Sequence, residues 1–185
     1  SLVKKFKTKN GRTVYDSRGI EPDIKIEPQY FNAVTQNLLV KDVIFDFVNE
    51  NINYYKKDSL FPESFALSDT AYSTFMRYAV NKKMDYQTES SQQLKEFVKI
   101  AKKEKYVEEN EGVFKLLDSI FKVDLSKDLK RHDKEIKFFL ENEFISRKHF
   151  QKGRMEASIK EDPYVKEAID VFNNTTKYNQ ILGIN

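Results

Sequence analysis

The sequence predicts a mainly α-helical fold, a multi-helix domain preceded by a short β-hairpin and strand segment. Three observations point there. Only five Gly and four Pro occur in 185 residues, too few for the many tight turns of a sandwich or barrel. From about Phe31 onward apolar residues recur at helical spacing, the signature of amphipathic helices with one buried face. Strand-type alternation is confined to the first 28 residues.

That opening segment reads element by element. Val3 to Lys9 is β-like, and Asn10-Gly11 is a strong hairpin signal for a type I′ turn. Arg12 to Tyr15 forms the expected return strand. A loop, Asp16-Ser17-Arg18-Gly19, leads to Pro22 and Asp23. Ile24 and Ile26 then alternate with Lys25 and Glu27 as a third short strand, stopped by Pro28. Three short strands cannot bury a core of their own, so they must join a sheet formed elsewhere. Leu2 follows Ser1 without a Met, so the chain is expected to be a piece of a longer one. The expected division is residues 1–28 as a β segment and 29–185 as a helical domain.

The helices follow in order. Val34, Leu38, Phe45 and Val48 share a broad stripe with Leu39, Val43, Ile44 and Phe47. Residues 55–67 are a polar connection interrupted by Pro62. Ser68 or Asp69 caps a helix carrying Tyr72, Phe75, Met76 and Ala79. Ser90 and Gln93 read as a capping box ahead of Leu94, Phe97, Val98 and Ala101. Val113 to Phe121 is a short apolar helix. After Asp124 as cap, Leu125, Leu129, Ile136, Phe139, Leu140, Phe144 and Phe150 fold onto one face of a long helix. Gly153 loosens it, at about 1 kcal/mol against Ala. Asp162-Pro163 starts the last helix, with Ala168, Ile169 and Phe172. Tyr178, Ile181 and Leu182 form an apolar tail expected to dock back on the bundle.

Composition narrows function. A net charge of +3 is close to balance, unlike the concentrated positive field of a nucleic-acid binder. The chain has no Cys, so disulfides and thiolate metal sites are excluded. No apolar run approaches the roughly 20 residues of a membrane span. Glycines stand singly at 11, 19, 112, 153 and 183, so no phosphate-cradling loop is present.

No catalytic, cofactor-binding or metal-binding residue is assigned. A serine nucleophile usually sits on a Gly-flanked turn, and no Gly-x-Ser occurs in the chain. His132-Asp133 and His149 are expected on one helix roughly 25 Å apart, too far to share a metal. Glu108, Glu109 and Glu111, and Glu141 with Glu143, read as solvated faces. Lys99, Lys102, Lys103 and Lys105 adjoin Tyr106, but Glu104 interrupts them and acids follow. They read as an exposed helix end rather than a single-strand site. Asn173-Asn174-Thr175-Thr176 contains glycosylation sequons.

Residues 6–26, Phe-Lys-Thr-Lys-Asn-Gly-Arg-Thr-Val-Tyr-Asp-Ser-Arg-Gly-Ile-Glu-Pro-Asp-Ile-Lys-Ile, resemble a stretch late in the catalytic domain of the carboxyl-terminal processing peptidases, or tail-specific proteases. The family form is close to Thr-x-x-Gly-Arg-x-Val-Tyr-Asp-Gly-Gly-Gly-Ile-x-Pro-Asp. Thr8, Gly11, Arg12, Val14, Tyr15, Asp16, Gly19, Ile20, Pro22 and Asp23 match it, whereas Ser17 and Arg18 replace two glycines. Phe150 to Arg154 through Asp162, and Ala168 to Tyr178, are similar to the helical ends of long bacterial members.

The resemblance implies a parent serine endopeptidase with a Ser-Lys dyad, often with a PDZ domain, in the periplasm or cell envelope. In that family the dyad lies N-terminal to the matched stretch, so no catalytic role transfers to a residue here and this chain alone is expected to be inactive. Its expected partners are the upstream catalytic domain, protein substrates or adaptors, and a further copy in a homo-oligomer. A free-standing helical interaction module is the rival expectation; a weak nucleic-acid binder using the lysines near 99–105 is disfavoured by charge balance.

Overall fold

The computed structural model describes residues 3–16, 22–28, 30–56 and 59–184. Its ten α-helices and one two-stranded antiparallel sheet, among the described residues, are the expected mainly α architecture. The chain divides into two compact units, residues 30–157 and the two chain ends, 1–29 with 158–185. The domain boundary expected at 28/29 falls beside this division, but residues 158–185 group with the N-terminal segment rather than with the helical body.

In the unit built from the chain ends, β1 (Lys4–Lys7) pairs with β2 (Thr13–Asp16), Phe6 opposite Val14. The turn differs from the type I′ form expected. The Gly11 N–H donates to Thr8 O and the Thr8 N–H to Arg12 O, both at 2.9 Å. Gly11 has φ +79°, whereas Asn10 keeps a negative φ. This is the three-residue hairpin loop in which one αL glycine closes a turn. A left-handed glycine thus supplies the twist that the two-residue loop would need from both residues. Residues 22–28 form no strand, although Ile24 and Ile26 are half-buried and Lys25 and Glu27 exposed, the alternation expected. Without a paired neighbour the segment lies against helices instead. The Ser17-Arg18-Gly19 loop and Ile20 lie outside the described residues.

The body begins with α1 (Ala33–Val40) and α2 (Val43–Asn51). The single stripe expected is broken at Asp42, which adopts φ 56°, a conformation that Asp tolerates better than most residues. The break turns both pieces inward: Val34, Leu38, Val43, Ile44, Phe47 and Val48 are all buried, while Phe45 is excluded. A 3₁₀ turn (Ile52–Tyr54) opens the connection, and Leu60 and Leu67 pin it to the core. α3 (Asp69–Asn81) is capped by Ser68, whose Oγ accepts from the Ala71 N–H at 3.2 Å. Tyr72, Phe75 and Ala79 face inward.

α4 (Glu89–Lys103) is capped by Thr88, accepting from the Ser91 N–H, and not by Ser90. Thr88 is extended, as a cap must be, whereas Ser90 already lies inside the first turn. α4 buries only Ser91 and Ala101. α5 (Tyr106–Glu109) and α6 (Glu111–Phe121) follow, and α6 buries none of its residues. Phe97 and Phe114 stack at 6.0 Å to join α4 and α6.

Asp124 caps α7 (Leu125–Arg131), its carboxylate accepting from the Lys127 N–H at 3.1 Å. The long helix expected from Asp124 breaks at His132, and α8 (Asp133–Ser158) continues. Ile136, Leu140, Phe144 and Ile145 of α8 lie in the core. There Phe47 meets Phe75 edge-on at 5.1 Å and Phe144 at 6.4 Å. Phe150 leaves the expected apolar face: it is 78% exposed, with φ 57° and ψ −156° inside α8. The helix doubles back there, so Arg154 reaches Glu143 at 2.6 Å. Eleven residues of straight helix would separate them by about 16 Å.

Two helices close the chain. Asp162 caps α9 (Pro163–Asn173), accepting from the Tyr164 and Val165 N–H groups with Pro163 at the first position. Asn174 caps α10 (Thr175–Leu182), and Gly183 ends it at φ 64°. No helix among the described residues is long and apolar enough to cross a membrane.

Candidate functional site

The polar residues singled out by the sequence are dispersed into separate local roles. His132 ends α7, its N–H donating to Asp128 O at 3.0 Å. The neighbouring Asp133 carboxylate accepts from the Lys134 N–H at 2.8 Å, so the two do not form a His-Asp pair. The break at His132 also means that His132 and His149 do not share one unbroken helix. No group of three or more His, Asp or Glu residues able to hold a metal ion occurs among the described residues. Glu141 accepts from the Leu67 N–H at 2.7 Å. Glu143 takes Arg147 at 2.8 Å and Arg154 at 2.6 Å. Both act as connectors between segments, and Glu143 is not the solvated acid expected. Glu111 pairs with Lys115 and Glu96 with Lys99, both at 2.6 Å on helix surfaces. Asn174 of the sequon stretch spends its side chain on the α10 cap.

The most enclosed polar cluster escaped the sequence reasoning. Tyr86 donates to Asp128 Oδ2 at 2.7 Å, and Arg131 donates to Asp128 Oδ1 at 2.9 Å. Tyr72 donates to Leu129 O at 2.6 Å. Burial, then the hydrogen bond to Asp128, pushes the Tyr86 hydroxyl well above the ordinary tyrosine range. Burial does the same for Tyr72. These phenols stay neutral and tie the second half of α7 to α3 and to the segment before α4. The sequence signal was weak, a lone Asp within an amphipathic helix.

The matched stretch does assemble into a definite geometry. Arg12 on the hairpin forms an ion pair with Asp23, joining two positions of the family pattern across the loop. Gly183 lies beside the hairpin turn: a Cβ there would stand 3.8 Å from both Arg12 Cβ and Asn10 O. An apolar cavity of about 340 Å³ is lined by Ile24 and Ile26 on one side and by Val171, Tyr178, Ile181 and Leu182 on the other. The tail therefore docks on the segment after the hairpin. Phe172 and Tyr178 stack at 5.9 Å, and Lys177 pairs with Glu167 at 2.6 Å to hold α9 to α10.

The hairpin itself is nearly uncovered. Only Val14 among its strand residues is even half-buried, and Phe6 and Tyr15 are about half exposed. No third strand pairs with it among the described residues. Chemically this ribbon offers hydrogen-bonding edges and apolar side chains to another sheet.

Residues 34–172 match a family described as "Probable PDZ-protease, C-terminal helical domain". The match runs from α1 almost to the end of α9 and takes in about three-quarters of the chain. No curated protein and no solved structure matches the chain. The chain belongs to this family of C-terminal helical domains.

Proposed function

We propose that this chain is the non-catalytic C-terminal region of a tail-specific serine endopeptidase of the periplasm or cell envelope. Proteolysis in the parent runs through a Ser-Lys dyad N-terminal to this stretch. The observation that carries this is the joining of Arg12 and Asp23, two positions of the tail-specific protease pattern, within one compact unit with α9 and α10. The bare hairpin supports it as well, because a two-stranded ribbon is marginal unless it joins a larger sheet. The upstream catalytic domain is the natural source of that sheet. The helical body then serves as a brace or as a surface that presents substrates or adaptors.

The test uses the parent protease and this chain side by side. The parent is expected to hydrolyse an unstructured protein, to lose that activity when its dyad serine becomes Ala, and to lose most of it on deletion of residues 4–16. The 185-residue chain alone is expected to be inert. Hydrolysis by the purified chain alone, or a parent indifferent to loss of the hairpin, would overturn the proposal.

The rival function, a free-standing helical interaction module, draws on the self-contained core of residues 30–157. It requires binding that survives deletion of 1–28 and a gene without an upstream protease.

A further inference from the structure

The unit formed by the two chain ends has no interior. Among its described residues, 3–16, 22–28 and 158–184, none is buried, whereas residues 30–157 enclose an apolar core. α9 and α10 are 11 and 8 residues long and bury no side chain. Helices shorter than about 12–15 residues are marginal by propensity alone and take their stability from a packed apolar face. With no Cys in the chain, no disulfide staples so small a unit.

Apolar side chains are nevertheless plentiful in it, and open. Tyr164 and Phe172 of α9 are 61% and 72% exposed, yet both line the cavity of about 340 Å³ walled by Ile24, Ile26, Val171 and Ile181. Ala168, midway between them, lines it too, so Tyr164, Ala168 and Phe172 recur every four residues as one stripe along the helix. The unit's own side chains leave this cavity open along that stripe.

We infer that the α9 stripe and its cavity dock on the upstream catalytic domain, whose apolar side chains fill the cavity. This rests on the parentage proposed above and extends the interface from the hairpin to the tail. Continuity with the hairpin selects that occupant. Gly183, at the end of α10, lies against the hairpin turn, a Cβ there standing 3.8 Å from Arg12 Cβ and Asn10 O. Arg12 is paired with Asp23, and Asp23, Ile24 and Ile26 form the wall of the cavity opposite α9 and α10. Hairpin and tail are thus one piece, and a domain that receives the hairpin in its sheet receives the tail with it. The helical body is then anchored at both ends, leaving the catalytic domain after residue 28 and returning to it from 158.

Exchange mass spectrometry on the 185-residue chain and on the full-length parent protease tests this. In the chain alone, α9 and α10 are expected to exchange well ahead of the body, at a rate independent of protein concentration. In the parent they are expected to slow roughly tenfold or more, together with 4–16, while the body is unchanged. Phe172→Glu in the parent is expected to abolish the slowing in α9 and α10 and leave the body as it was. A benzophenone in place of the Phe172 ring is expected to crosslink, within one molecule, to a peptide preceding Ser1. Equal exchange of α9 and α10 in chain and parent overturns the inference. The parentage still stands if 4–16 slows and hydrolysis depends on the dyad serine, and falls as well if the parent has no such hydrolysis. Protection in the isolated chain that grows with concentration, or a crosslink between two molecules, gives the cavity to a second copy and overturns the inference. Should Phe172→Glu unfold the parent, the crosslink decides: an adduct confined to residues 30–157 overturns it.

Discussion

Arg12 and Asp23 pair across eleven residues, so the hairpin return strand is fastened to the segment that lines the α9–α10 cavity. The pair is partly open to solvent, with side chains 25% and 42% exposed, and such pairs contribute up to about 1 kcal/mol. Asp23→Ala is therefore expected to leave the melting of residues 30–157 unchanged while speeding amide exchange in 4–16 and in α10 a few-fold. Exchange mass spectrometry on the intact chain reads both regions at once. Equal acceleration throughout the body would show that the pair does more than fasten the chain ends.

Gly153 is expected to be irreplaceable, against the helix preference for Ala of about 1 kcal/mol. A Cβ at 153 would stand 2.2 Å from His149 Cβ and 3.1 Å from Ile145 Cγ2, closer than packed atoms can approach. Gly153→Ala should thus destabilise by about 1–3 kcal/mol, the usual cost of overpacking. Phe150→Gly should go the other way. Its φ 57°, ψ −156° backbone suits glycine, and relief of strain worth about 1–3 kcal/mol competes with little loss, because the ring is exposed. Urea titrations of the two variants with opposite signs would establish that the reversal at 150 is a fixed feature.

Much of the helical body was legible because burial imposes a period. Tyr72, Phe75, Leu129, Ile136, Leu140 and Phe144 are all expected on inner faces, and all lie in the core. The failures share one cause. Asp42, His132 and Phe150 each interrupt a periodic run, and periodicity persists across a break because both pieces still need an apolar face. Of the two breaks at positive φ, Asp42 and Phe150, only Asp42 is a residue type that favours it. Gly153 reads in the sequence as a weakness, since steric need for a missing Cβ is a property of the fold-back and leaves no local mark. The grouping of 158–185 with the hairpin was illegible for a similar reason: it is a long-range contact, and the tail's apolar residues would suit any apolar partner. The Tyr86–Asp128 bond joins residues 42 apart, beyond the reach of any spacing rule.

That bond supplies a stability prediction. Tyr86 is 7% exposed and Asp128 likewise 7%, so removing the hydroxyl leaves a buried carboxylate oxygen without its donor, while Arg131 keeps the other. Tyr86→Phe should cost about 1–3 kcal/mol. Combining it with Asp128→Asn should cost clearly less than the two single losses together, because the two groups serve each other. A double-mutant cycle in urea checks this. Strict additivity would mean that the hydrogen bond contributes nothing in solution.

The same tyrosines set the alkaline limit of the fold. Tyr72 and Tyr86 have folded-state pKa values raised above the ordinary value of 10.0, chiefly by burial. An unfolded chain releases these protons near pH 10, whereas the folded chain still holds them, so above that pH the unfolded state binds fewer protons and stability falls with rising pH. Below pH 10 the contribution is fully present. Tyrosinate absorbance during an alkaline titration should therefore rise in two stages. The first stage leaves the helical signal unchanged. Tyr72 and Tyr86 ionise only as the helical signal collapses. In Tyr72→Phe the second stage should shrink and the collapse move to higher pH relative to the variant's own neutral stability, since one of the protons driving it is gone. A single smooth titration that precedes unfolding would show that both hydroxyls reach water in the native chain.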